Sequence, residues 1–312
     1  MERSVLIAVD GSHNSIHPAR HIARIFGQVP DFKAVLLHVI KAPPPYLVQE
    51  AKTDAKALSR LKQMEAKVKK EAQKVLDKAE EEMIRAGMPK DRIEKKSIPL
   101  TTGLAKDIVF EAQNGLYDAV VVGRRGLGLV QEMLIGSVSQ QVLDLAKTVP
   151  VWIVDGEPVG HKVLIALDGS EDSFKAVDHV GFVLAGHPEA HIHLVHVSTA
   201  LADYCEFGDD SELSEMEMEM LKKEEDYCLT HYFSRAVKML TEAGVPRERI
   251  EVDFRVKKMD LARTIIKAGE EKGSATIVVG RRGLSRLKGI LLGSVSNKII
   301  QSGRHKAVWV VA

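Results

Sequence analysis

The sequence predicts an α/β protein made of two tandem copies of a doubly wound, five-stranded parallel sheet. Three observations predict it. Apolar, β-branched runs of strand length alternate with helical stripes along the whole chain, the pattern of parallel strands joined by right-handed helical crossovers. Each run is continuous rather than alternating, as expected when both faces of a sheet are covered. The pattern also restarts. Lys162-Val163-Leu164-Ile165-Ala166-Leu167-Asp168-Gly169-Ser170 repeats Ser4 through Ser12, and the matching glycines Gly123 and Gly280 stand 157 positions apart, the scale of one domain. The expected domains are 1–155 and 161–312, with 156–160 as linker.

In the first copy, Val5 to Val9 reads as a strand ending in Asp10-Gly11-Ser12. Ser12 or Asn14 caps the helix that carries Ile16, Ala19, Ile22, Ala23 and Phe26 at helical spacing, with Pro18 distorting only its first turn. Val35 to Ile40 is the second strand, stopped by Pro43-Pro44-Pro45. A long charged helix follows from Lys52 to Arg85, its stripe being Leu58, Leu61, Val68, Ala72, Val75 and Ala79. Ile93 to Ile98 is the third strand, and a helix through Ile108, Val109 and Ala112 leads to the fourth, Ala119 to Val122. Gln140 to Lys147 reads as a short helix and Val149 to Val154 as the fifth strand. His193-Leu194-Val195-His196-Val197, Thr276 to Val279 and Ala307 to Val311 answer the second, fourth and fifth strands in the other copy. The copies differ most between second and third strands, where Lys62 to Lys78 is basic and Glu206 to Asp226 acidic. That contrast reads first as two solvated helix faces, and second as a complementary charge pair.

The 312 residues, 45% hydrophobic and 28% charged with a net charge of +1, fit a globular protein and argue against a surface that coats nucleic acid. No charge-free run reaches transmembrane length, and the N-terminal apolar run is too short for a signal-peptide core. Cys205 and Cys228 lack metal-type spacing and read as thiols of a reducing compartment. The expectation is a cytoplasmic protein with neither membrane nor nucleic-acid partner.

Chemistry concentrates at Gly123-Arg124-Arg125-Gly126, nine residues, then Gly136-Ser137-Val138-Ser139. It recurs as Gly280-Arg281-Arg282-Gly283, nine residues, then Gly293-Ser294-Val295-Ser296. Glycines admit close backbone approach, and a Gly-Ser pair opening a helix points N–H groups at whatever lies beyond the strand end, an anion cradle. It is neither a Walker A loop, which needs Lys-Ser or Lys-Thr, nor a dinucleotide fingerprint, which follows the first strand. Ligands of open α/β sheets bind beyond the carboxyl ends of strands where strand order reverses, so Asp10 and Asp168 face the same crevices. There each acid accepts from a ribose hydroxyl or helps to hold Mg²⁺; the alternative is an ordinary Asp-Gly-Ser corner. One arginine of each pair, Arg124 and Arg281, is expected near the ligand. His13, His17 and His21 follow helical spacing, but Pro18 breaks that face and no carboxylate or thiolate completes a metal set; they read as surface residues. His38 and His196 recur near the ligand end of the second strand, and no Gly-x-Ser-x-Gly motif supports a triad.

An Asp closing the first strand together with this glycine spacing resembles the universal stress protein family in its nucleotide-binding branch, over essentially the whole chain. The resemblance implies a Rossmann-like, adenine nucleotide alpha hydrolase-like fold in which the motif holds the phosphates and ribose of ATP. It implies Asp10 near ribose or metal, main chain at Val39 beside adenine, Gly123, Gly126 and Gly136 shaping the loop, and Ser137, Val138 and Ser139 on phosphate. The matching set in the second copy is Asp168, Val197, Gly280, Gly283, Gly293, Ser294, Val295 and Ser296. The copies part after the third strand, where Thr101-Thr102-Gly103 faces Lys257-Lys258-Met259, so equal affinity is not expected. The resemblance also implies pairing of fifth strands, here an intramolecular pseudo-dimer, with a homodimer left open. Three functions follow: an ATP-binding stress or regulatory protein with slow or no hydrolysis, an ATP-hydrolysing or adenylyl-transferring enzyme on the same scaffold, or an interaction scaffold with structural nucleotide.

Overall fold

The computed structural model describes residues 2–124, 135–199, 215–257, 260–283 and 292–312. The chain divides into two compact units, Met1–Val154 and Asp155–Ala312. The first contains β1 (Arg3–Ala8), α1 (His13–Phe26), β2 (Phe32–Ile40), α2 (Pro45–Glu50), α3 (Ala55–Arg85), β3 (Ile93–Pro99), α4 (Leu104–Asn114), β4 (Ala119–Gly123), α5 (Ser137–Leu145) and β5 (Val151–Val154). Its strands lie in the order β3-β2-β1-β4-β5, all parallel. Strand order reverses between β1 and β4, which pair through Val5↔Ala119, Leu6↔Val120 and Ile7↔Val121. All six of those side chains are fully buried, so the sheet carries helices on both faces, as its unbroken apolar runs require.

The second unit contains β6 (Lys162–Leu167), α6 (Glu171–Leu184), β7 (His191–Ser198), α7 (Glu215–Tyr227), a π-helical segment Cys228–Phe233, α8 (Ser234–Glu242), β8 (Ile250–Val256), α9 (Leu261–Glu271), β9 (Thr276–Gly280), α10 (Ser294–Ser302) and β10 (Ala307–Val311). The order β8-β7-β6-β9-β10 places its switch point between β6 and β9. Among the described residues no helix is long and apolar enough to cross a membrane.

Both units start their first helix in the same way. Ser12 caps α1 by accepting from Ser15 N at 3.1 Å, while the Ser15 hydroxyl donates to Ser12 O at 3.0 Å. Ser170 and Ser173 repeat the pair on α6 at 3.2 and 2.8 Å. A cap of this kind contributes about 1 kcal/mol.

Four expectations need correction. Pro18 sits inside an unbroken α1; it removes one N–H, the partner that the carbonyl of exposed Asn14 would have in a regular helix. Of the three α1 histidines only His13 is exposed: its ring lies edge-on to half-buried His17 at 5.0 Å, and His21 faces the core. Helix α5 begins at Ser137, not Gln140, because Gly136 itself is the N-cap. On α3 the stripe fails at Leu58, which is 40% exposed. The continuous buried face is Ala72, Leu76, Ala79, Glu80 and Met83, where α3 packs on α1 and β2.

Candidate functional site

Beyond the carboxyl ends of β1 and β4 lies a cavity of about 650 Å³, within the ~300–1,000 Å³ span of small-ligand sites. Asp10, Val39, Gly123, Gly136, Ser137, Val138 and Ser139 all line it. Gly136 is extended (φ −69°, ψ 146°) and offers no side chain to cap α5. The amides of Ser137, Val138 and Ser139 therefore have no acceptor within the helix and carry the positive end of its dipole. The loop ends are fixed by main chain: Gly136 N donates to Arg124 O at 2.8 Å and Arg124 N to Val154 O at 2.9 Å. Ser139 is a latch, its hydroxyl donating to Gly123 O at 2.6 Å. Ser137, by contrast, is exposed on the cavity wall.

The second unit reproduces each device. Gly293 N donates to Arg281 O at 2.8 Å, Arg281 N to Val311 O at 2.6 Å, and the Ser296 hydroxyl to Gly280 O at 2.8 Å. Asp168, Val197, Gly280, Gly283, Gly293, Ser294, Val295 and Ser296 line its cleft, which holds only about 120 Å³. Two glycines there are in close contact, Gly280 with main chain and Gly283 with a side-chain end. A Cβ on Gly280 would lie 2.7 Å from the Asp172 main chain, and one on Gly283 would lie 2.6 Å from Asp168 Oδ2.

The acids and arginines divide between structure and site. Asp10 Oδ1 accepts from Ser12 N at 2.9 Å and Asp168 Oδ1 from Ser170 N at 3.0 Å, so each also makes the corner its Asp-Gly-Ser sequence suggests. Neither belongs to a cluster of three or more potential metal ligands among the described residues. Arg124 and Arg281 are buried, 4% and 3% exposed, and line neither cavity. The arginine on the second cleft is Arg282, held by Asp172 Oδ2 through its N at 3.2 Å and Nε at 3.4 Å. Arg125 and Gly126 lie outside the described residues, as do Cys205, the 206–214 part of the acidic stretch, Lys258 and Met259.

Both recurring histidines are tied to the strand that bears the acid. His38 Nδ1 lies 2.8 Å from Val9 O and His196 Nδ1 2.8 Å from Leu167 O. A carbonyl only accepts, so in each ring Nδ1 carries a proton.

The Thr101-Thr102-Gly103 difference is structural. Thr101 and Thr102 each donate a hydroxyl and an amide to Asp107. Burial works against it, yet these bonds hold the Asp107 carboxyl well below the usual carboxylate range. In the second unit Asp260 caps α9 instead, accepting from Ala262 N at 3.0 Å.

What the sequence reading missed is the wall opposite the motif. Val75 of α3 packs on Gly11, its Cγ2 3.0 Å from where a Cβ would stand. In the second unit that place is taken by Tyr232, whose ring comes within 2.4 Å of a Cβ built on Gly169. The His196 ring flanks Tyr232 at 5.7 Å and stacks on Phe254 at 5.8 Å. This aromatic packing stands where Val75 lines the first cavity, and Cys228 of the same segment is buried. Burial and the neighbouring Glu224 push the Cys228 thiol up to about 11. The signal was available, since Val75 and Tyr232 stand 157 positions apart, as Gly123 and Gly280 do.

Fold and site together define a tandem doubly wound α/β protein with a glycine-and-helix cradle at each switch point. Comparison with known proteins places it further: the universal stress protein family matches residues 1–155 and again 160–311. The chain belongs to that family. Universal stress protein YxiE of Bacillus subtilis is 33% identical over 151 residues, 45% of this chain and 92% of its own. A universal stress protein of Methanocaldococcus jannaschii is 31% identical over 161 residues, 51% of this chain and 86% of its own. The fold is shared with the crystal structure of a universal stress protein from Archaeoglobus fulgidus at TM-score 0.63 and 22% identity, covering 99% of this chain and 97% of that one.

Proposed function

We propose that this is an adenine-nucleotide-binding stress or regulatory protein whose first unit takes ATP, with slow or no hydrolysis. The observation that carries the reading is the first cavity: about 650 Å³ of space bounded by the α5 N-terminus on one side and Asp10 on the other. In this reading the amides of Ser137 to Ser139 and the Ser137 hydroxyl hold phosphate oxygens. Asp10 accepts from a ribose hydroxyl through the carboxylate that Ser12 N orients, and the adenine lies beside Val39. Gly126 and its neighbours complete the phosphate loop. Asp168, Val197, Gly293 and Ser294 form the equivalent cradle, but at about 120 Å³ it lacks room for a nucleotide while Tyr232 stays in place. The expected stoichiometry is therefore one nucleotide per chain. Mg²⁺ enters this reading only as a companion of the phosphates, since Asp10 and Asp168 each lie outside any cluster of three potential ligands among the described residues.

Mass spectrometry of small molecules released from freshly purified protein, with calorimetric titration of stripped protein, tests it. One equivalent of adenine nucleotide and a raised Tm are expected; at one hundred times Kd the stabilisation is about 2.7 kcal/mol. Absence of bound nucleotide, together with an ATP-insensitive Tm, refutes the reading. Pairing through Val151–Val154 and Ala307–Val311 is part of the same proposal. A chain cleaved at a protease site placed in 156–160 should still elute as one particle, and elution as two halves refutes the pairing.

A further inference from the structure

The second unit holds a further set of donors, distinct from the residues that line its cleft. Glu224 near the end of α7 and Cys228 opening the π-helical segment stand four apart, on one side of the same helix, and β7 presents His196 to them. One ligand atom from each lies within 4.8 Å of the others. The ring of His196 is oriented for coordination: its Nδ1–H is committed to Leu167 O at 2.8 Å, which turns Nε2 toward Glu224. An outer hydrogen bond that orients the ring in this way is a regular feature of metal-bound histidine. Glu224 is oriented as well. Its Oε2 accepts the Ser198 hydroxyl at 2.5 Å, which turns Oε1 to the histidine.

The distance between those two atoms is informative. His196 Nε2 and Glu224 Oε1 are 3.8 Å apart, too far for a hydrogen bond. Two nitrogen or oxygen ligands of one tetrahedral Zn²⁺, at ~2.0–2.2 Å from the metal, stand roughly 3.3–3.6 Å apart. The pair stands close to co-ligand spacing, and the buried Cys228 Sγ lies within 4.8 Å of a ligand atom of each. π-Helical turns such as 228–233 concentrate at functional sites because the extra residue re-aims a side chain.

The first unit makes a control. Tyr232 pairs with Val75 at an offset of 157, and the extra residue of the π-helical turn shifts the pairing by one before it, so Cys228 corresponds to Ala72 and Glu224 to Val68, which share their burial. There the same wall has neither thiol nor carboxylate and borders the open cavity instead.

We propose that His196, Glu224 and Cys228 form a site for a borderline-soft divalent cation, Zn²⁺ foremost, with the fourth tetrahedral position open to solvent or a ligand. The mixed nitrogen, oxygen and sulfur set selects Zn²⁺ over Mg²⁺ or Ca²⁺, which take oxygen donors. The site is independent of nucleotide binding in the first unit, and either can fail without the other.

The test uses the full-length chain stripped with chelator and titrated with Co²⁺ alone, then with Zn²⁺. One equivalent of Co²⁺ should bind with a thiolate-to-cobalt charge-transfer band and the intense visible bands of a tetrahedral site, and Zn²⁺ should displace it. Cys228→Ser should abolish the charge-transfer band, whereas Cys205→Ser, the other cysteine of the chain, should leave it intact. Ser198→Ala should weaken affinity by about 10- to 100-fold, and His196→Ala by more. Glu224→Gln keeps shape and half-exposed position, so it reads affinity even where a core substitution impairs folding; a loss of at least about tenfold is expected. No stoichiometric uptake, a weak six-coordinate spectrum, a band that follows Cys205, or Glu224→Gln binding as tightly as the parent would each overturn the proposal.

Discussion

The two units keep the same backbone devices and differ in what covers them. Each has a serine-capped first helix, a histidine tied to the acid-bearing strand, a glycine N-cap and a serine latch to the strand end. One cavity nevertheless holds about 650 Å³ and the other about 120 Å³. The lining differs where the helix after the second strand runs: α3 supplies Val68, Glu71, Ala72 and Val75 to the first cavity, whereas no described residue of α7 or of the π-helical segment lines the second. In the proposed reading, the covering helix as well as the glycine motif decides which unit takes nucleotide.

The largest expected effect comes from exchanging the two residues that stand at matching positions against Gly11 and Gly169. Val75→Tyr should fill the first cavity and lower nucleotide affinity by two orders of magnitude or more, about 3 kcal/mol or above. Tyr232→Val should open the second cleft and, if its cradle is competent, raise the titrated stoichiometry from one nucleotide to two. If Val75→Tyr binds ATP like the parent, the covering-helix account of the asymmetry is wrong, whichever unit is occupied.

Next in size is a break in the motif itself. Gly280→Ala places a Cβ 2.7 Å from the Asp172 main chain, which cannot yield as a flexible side chain would. Overpacking of this kind costs about 1–3 kcal/mol, read as a lowered denaturation midpoint with the first unit's nucleotide affinity unchanged. Loss of that affinity as well would show that the two units are coupled.

These cases also show what the sequence could disclose. The strands, their alternation with helices and the tandem repeat were legible because they depend on local, periodic or repeated patterns. The start of α5 was misjudged by three residues because a glycine cap leaves no polar side chain in the sequence to announce it. Arg124 was expected near ligand from its charge, yet it is buried and its main chain fixes the loop. Tyr232 went unread because its role depends on which helix face meets Gly169, a tertiary fact. Only the 157-residue offset to Val75 hinted at it.

The Thr101–Thr102 loop gives a pH-dependent contrast between units. Asp107 has its pKa lowered by the threonine bonds, so its contribution is fully present above the unfolded carboxylate value of about 3.9 and is lost as pH falls through the lower folded value. Asp107→Asn should cost about 1–2 kcal/mol at neutral pH and progressively less in acid. Denaturant midpoints of parent and variant that differ equally at pH 7 and pH 2 would rule out the ionised carboxylate as the stabilising form.

The smallest effect separates the two serines of the cradle. Ser139→Ala removes the bond to Gly123 O and should cost stability of about 0.5–1.5 kcal/mol. Ser296→Ala should cost the same amount, since its bond to Gly280 O has the same geometry. Ser137→Ala breaks no latch: it should leave the denaturation midpoint within experimental error and weaken nucleotide binding by a few-fold, because the helix amides remain. A Ser137 variant that is destabilised but binds normally would exchange the roles assigned to the two positions. Equal latch costs in the two units, with a binding cost in only one, would confine their difference to the helix above the motif.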